Sequence, residues 1–123
     1  MNLVDTHAHL YLDAFDKDRE ECLDRARKAG VRSVFLPNID VDSIDRLLEL
    51  EQQSEGYCHA MMGLHPCSVS EDWKEQLDEM EGYLDRRRFS AIGEIGMDLY
   101  WDDTYEKEQI EAFRRKVRWA KEM

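Results

Sequence analysis

Four times along this chain a short apolar run gives way to a longer stretch with apolar residues at helical spacing. No other feature of the sequence constrains the fold as strongly. Leu3-Val4 opens the first run and leads into Asp5-Thr6-His7-Ala8-His9. Residues 16–29 are charged, with Cys22, Leu23, Ala26 and Ala29 on one helical face, and Gly30 stands where a helix C-terminal glycine would. Residues 31–36 are β-branched and aromatic, hence a strand, closed by Pro37. A helix over about 42–55 turns Ile44, Leu47 and Leu48 inward, with Gly56 behind it. Residues 57–63 form a third strand, and Trp73, Leu77, Met80 and Leu84 mark an amphipathic helix. Residues 90–95 form a fourth strand, and Ile110, Phe113, Val117 and Ala120 mark a fourth helix running to the end of the chain.

Successive βα units imply parallel strands joined by crossover helices. Two architectures satisfy that: a small open α/β sheet, or part of a (βα)₈ barrel. A whole barrel takes about 250 residues, so four units in 123 residues would be half of one. Periodicity does not choose between them, but the polar residues carry more information. His7 and His9 close the first strand, His65 follows the third, and Glu94 and Asp98 cluster at the end of the fourth. That end of a parallel sheet is where barrels and open sheets alike place their sites.

Two residues apart on a strand, His7 and His9 point to the same side, a pairing suited to a divalent cation. The plainer alternative is that one of them caps a loop or satisfies a buried hydrogen bond. Asp5 has the same parity and could orient a ligating imidazole. Glu94 lies in the apolar run Ile92-Gly93-Glu94-Ile95-Gly96, where a carboxylate is costly to bury unless paired or metal-bound; pairing with a Lys or Arg is the competing explanation. His65, in Gly63-Leu64-His65-Pro66, could donate to a phosphate, bind metal, or rest on a backbone carbonyl. His59 sits at the opposite end of its strand and reads as structural. Tyr100-Trp101 could form a stacking platform for a base, a lid, or a packed loop.

Composition narrows the partners. With 28 carboxylates against 17 Lys plus Arg, the formal charge is -11, which argues against holding nucleic acid by a broad basic surface. A cation in a small cleft could still attract phosphate locally. Cys22, Cys58 and Cys67 are odd in number and scattered, which fits a reducing, cytoplasmic setting. No apolar run approaches the ~20 residues of a membrane span, and the N-terminus lacks the features of a signal peptide.

The three segments Leu3-Val4-Asp5-Thr6-His7-Ala8-His9-Leu10, Gly63-Leu64-His65-Pro66 and Gly93-Glu94-Ile95-Gly96-Met97-Asp98 occur in the order and at roughly the spacing of the TatD family. The fourth helix, with Gln109, Phe113 and Ala120, is similar to that family's helix before strand five. The resemblance covers the whole chain, residues 1–123, as one TatD-like domain that is incomplete. It implies a (βα)₈ barrel with one or two divalent metal ions, hydrolysing phosphodiester bonds, usually in DNA. By match, His7 and His9 bind one metal, Glu94 binds or bridges metals and carries the catalysis, and His65 and Asp98 line the substrate side. Zn, Mn, Mg and Fe all suit His and carboxylate ligands. Tyr11 departs from the pattern, standing where the family often has an acidic residue or Asn. The family draws two further histidines and an aspartate from later strands that lie beyond Met123, so the 123 residues alone are expected to be inactive. They are also expected to need a C-terminal half or to self-associate. The alternatives are another H-x-H amidohydrolase or phosphoesterase, and a non-catalytic half domain that binds metal or a partner.

Overall fold

The computed structural model describes residues 1–123. Three strands, β1 (Leu3–Asp5), β2 (Val31–Pro37) and β3 (Cys58–Met61), form a parallel sheet in the order β1-β2-β3. The crossovers are helical: α1 (Arg19–Lys28) between β1 and β2, and α2 (Ile44–Gln53) between β2 and β3. Two more helices follow, α3 (Trp73–Arg86) and α4 (Glu106–Glu122). Each of these elements lies where the apolar pattern placed it. The first helix begins later than expected, at Arg19, because a short 3-10 turn at Asp13–Phe15 precedes it. Arg19 itself holds that turn, donating to the carbonyls of Leu10 and Leu12 at 2.7 Å. Gly30 ends the helix with φ +93°, the left-handed conformation that a C-terminal glycine supplies without strain.

The expected fourth strand, residues 90–95, is reduced to a single parallel bridge between Met62 and Ile92. Its first residues do lie along β3: Ser90 donates to Ala60 O at 3.0 Å and Gly93 to Met62 O at 2.9 Å. The chain then crosses the end of β3 to reach the residue after β2. Asn38 donates to Gly93 O and Glu94 donates to Asn38 O, each at 3.0 Å. This crossing passes so close over Gly63 that a Cβ there would lie 2.5 Å from Glu94 O and 2.7 Å from Gly93 C. Only glycine at position 63 lets the two backbones approach, and the departure ends the ladder.

A cluster of 18 buried apolar residues fills the space between sheet and helices, with Val34, Leu36, Cys58, Ala60 and Met62 meeting Leu23, Leu47, Leu77 and Met80. On α4 the buried residues are Gln109, Ala112, Lys116 and Trp119. The apolar stripe that marked this helix lies beside them: Phe113 and Ala120 are exposed, and Ile110 and Val117 only half-buried. The reason is the polar set that α4 inserts. Gln109 exchanges hydrogen bonds with the Asp98 backbone, at 2.9 and 2.8 Å, and Lys116 Nζ donates to Leu64 O.

Lys116 is fully buried, and burial pushes its amine down from 10.5 to about 8, opposed by the field of Glu94. An amine whose folded value is lowered destabilises the fold while charged. Stability therefore rises with pH between about 8 and 10.5, where the unfolded chain still holds a proton that the folded chain has released. At 1.36 kcal/mol per unit, the complete protein should gain about 2–3 kcal/mol relative to its Lys116→Met variant between pH 7.5 and 10, read from urea unfolding. Parallel stability curves for the two proteins would contradict the burial of a titrating amine.

Candidate metal centre

The segment leaving β1 stays extended, since Ala8 donates to Phe35 O of β2 at 3.1 Å. Side chains two apart then share a side, and His7 and His9 do: their Nε2 atoms are 3.1 Å apart. The crossing over Gly63 delivers Glu94 to the same end of the sheet. Its Oε2 lies 3.4 Å from His7 Nε2 and 3.3 Å from His9 Nε2. One ligand atom from each of His7, His9 and Glu94 falls within 4.8 Å of the others.

The electrostatics of this trio are unusual. Glu94 Oε2 is buried and has no hydrogen-bond partner. Burial holds the His9 imidazole below its ordinary value, against the pull of Glu94, which favours a neutral ring at neutral pH. A neutral imidazole with a bare Nε2 and an ionised carboxylate are all acceptors, and acceptors facing one another at 3.1–3.4 Å repel unless a proton or cation lies between them. Two imidazole nitrogens and a carboxylate oxygen form a ligand set that divalent cations accept, and the orphaned oxygen fits that occupant.

His65 takes a different part. Its backbone N–H donates to Ile39 O at 2.7 Å, which fixes the loop, and its Nδ1 accepts from the Cys67 N–H at 2.9 Å. With Nδ1 accepting, the neutral ring carries its proton on Nε2, which faces Glu94 Oε1 at 3.2 Å. His65 is thus a hydrogen-bond donor toward the carboxylate at the centre.

The two remaining expected positions are carboxylates. Asp5, the last residue of β1, accepts from the His7 backbone N–H at 3.1 Å and makes no hydrogen bond to an imidazole. Asp98 lies outside the His7, His9 and Glu94 trio; its carboxylate accepts from Tyr100 N at 3.0 Å and its backbone is held by Gln109. Tyr100 and Trp101 are 83% and 79% exposed, packed edge to face 4.7 Å apart. His59 lies against Phe35, away from the site, as expected of a structural residue.

Two residues of the site escaped the sequence reading as contributors. Tyr11, buried, places its Oη 3.0 Å from His9 Nδ1 and donates to Pro37 O at 2.5 Å. Asn38, also buried, anchors the end of β2, its side chain donating to Gly63 O at 3.1 Å and Asp40 O at 2.9 Å and accepting from Ser43. Both carried signals: Tyr11 continues the i, i+2 register of His7 and His9, and Asn38 follows a strand at its C-terminal end.

Several known proteins resemble this chain. The chain is 32% identical over 121 residues to a metal-dependent hydrolase, YabD, of Bacillus subtilis, covering 98% of this chain and 47% of that protein. It is 30% identical over 120 residues to the 3'-5' ssDNA/RNA exonuclease TatD of Dickeya dadantii, covering 98% and 46%. The crystal structure of YjjV, a TatD homologue from Escherichia coli, superposes with a TM-score of 0.86 at 31% identity, covering 98% of this chain and 47% of that one. The chain therefore spans about half the length of the relatives it matches, and its parallel βα units are those of the N-terminal half of a (βα)₈ barrel. The profile of the family described as TatD related DNase matches residues 4–123. With the H-x-H pair, the glycine-flanked glutamate and the barrel half all in place, the chain belongs to the TatD related DNase family.

Proposed function

We propose that the complete protein is a metal-dependent phosphodiesterase acting on DNA. The observation that carries this reading is the convergence of His7 Nε2 and His9 Nε2 on the orphaned Oε2 of Glu94. His7, His9 and Glu94 would hold a divalent cation. When bound, such cations acidify a water, polarise the phosphoryl group and stabilise the leaving oxygen. His65, with its proton on Nε2, is placed to donate to a non-bridging phosphate oxygen or to keep Glu94 oriented. Asp98, in the loop beyond Glu94, would contact substrate. DNA as the substrate is supported by the family's description and by the ssDNA/RNA exonuclease activity named for the Dickeya relative. A cytoplasmic setting is supported by three free cysteines; no helix is long and apolar enough to cross a membrane.

The net charge of -11 bears on how substrate is held. An acidic surface repels a polyanion, so affinity has to come from the cation-loaded cleft. Cleavage of DNA by the complete protein should vanish in excess EDTA and return when Mn²⁺, Mg²⁺ or Zn²⁺ is restored. Undiminished cleavage under chelation would remove the metal mechanism.

A further inference from the structure

We propose that Tyr11 is a positioning residue: it fixes His9 in the tautomer that keeps Nδ1 protonated and turns a bare Nε2 toward His7 and Glu94. This deepens the metal-centre reading given above and rests on it. A phenol has one proton to give. Tyr11 Oη spends that proton on Pro37 O at 2.5 Å, so toward His9 Nδ1, 3.0 Å away, it can only accept. The neighbour of Nδ1 thus demands a donor, and in a neutral imidazole the proton then leaves Nε2 bare.

The arrangement is rigid. Tyr11 is 1% exposed within the apolar core, and its ring packs edge to face with that of His9, centroids 5.8 Å apart. Its own backbone carbonyl accepts from Arg46 Nε at 3.0 Å, and Arg46 and Arg19 both pair with Asp16. The ring is thus held by the core and the Tyr11 backbone by the loop. A fixed acceptor that takes a ligating histidine's second N–H holds both the tautomer and the plane of the ring. Carboxylates, carbonyls and water are the usual acceptors; here the acceptor is a buried phenol, whose acidity burial suppresses.

Selective ¹⁵N-histidine labelling of the complete, metal-free protein reads the tautomer directly. The His9 signal, assigned by its loss in His9→Gln, should show a protonated Nδ1 and an unprotonated Nε2. In Tyr11→Phe, which keeps the ring and the packing, the His9 signal should move toward the other tautomer while His65 stays unchanged. Apparent affinity for Zn²⁺, measured by competition with a chelator, should fall about 10–100-fold in Tyr11→Phe, with the far-UV circular dichroism of the wild type retained. A wild-type His9 protonated on Nε2 would overturn the proposal without any variant. So would a Tyr11→Phe protein with wild-type spectrum and wild-type Zn²⁺ affinity, and that result leaves the His7, His9 and Glu94 centre standing. Absence of Zn²⁺ binding by the wild type would instead overturn the centre itself.

Discussion

Residues 1–123, produced as an isolated polypeptide, are expected to self-associate and to leave DNA uncut. Strand β1 pairs only with β2, so its other edge presents unpaired backbone groups, and its Leu3 and Val4 are 42% and 53% exposed. An exposed strand edge with apolar side chains is a template for pairing with another chain. At the other flank, Phe113 and Ala120 of α4 are exposed and Ile110 and Val117 half-buried, forming an apolar stripe that nothing in these residues covers. In a closed barrel both flanks are buried, and the relatives have about twice this length with which to close it. The metal centre is also one-sided: the three ligand atoms of His7, His9 and Glu94 leave the rest of a coordination sphere to groups from elsewhere. Light scattering on the purified 123-residue polypeptide should therefore report oligomers, and a nuclease assay should report no turnover above background. Adding the remaining half of a longer chain should restore both monodispersity and metal-dependent cleavage. A monomeric 123-residue polypeptide that cleaves DNA unaided would contradict the half-barrel assignment.

Much of this architecture was legible because parallel βα units write a strong pattern. The helices at residues 44–53 and 73–86 and the strand at 31–37 follow from apolar spacing and from Gly30, Pro37 and Gly56 as punctuation. The sites where the reading fell short are those where a backbone contact outweighs periodicity. Residues 90–95 look like a strand, yet the chain leaves the ladder after Ile92 because Gly63 allows Glu94 to cross above it and pair with Asn38. Helix α4 looks amphipathic about Phe113, yet it buries Lys116 and Gln109, since those side chains complete hydrogen bonds to Leu64 and Asp98. No hydrophobic pattern encodes that choice.

The candidate site was legible in its three converging side chains and less so in their supports. His7, His9 and Glu94 are rare residue types at strand ends, and they do converge. Asp5 shares their register, but β1 ends there, and the carboxylate reaches only the His7 backbone. The group that meets His9 Nδ1 is Tyr11, whose aromatic side chain reads in sequence as core. A residue that is both core and hydrogen-bond partner gives no polar signal to find it by.

The convergence of two imidazoles and an orphaned carboxylate oxygen makes metal retention the property with the most at stake. Replacing His7 and His9 together removes both nitrogen ligands that these 123 residues offer, a far larger loss than the 10–100-fold that an outer hydrogen-bond partner commands. His7 is exposed and His9 only half-buried, so the two changes remove little packing and the fold should survive. Glu94 would lose the neighbours of its Oε2 but keep His65 on Oε1. The direct measurement is elemental analysis of the complete protein, purified without chelator, beside its His7→Ala/His9→Ala variant with matching far-UV circular dichroism. The wild type should carry at least one equivalent of divalent metal per chain, and the variant at least one equivalent less. Equal metal content in two equally folded proteins would contradict a metal centre at His7, His9 and Glu94.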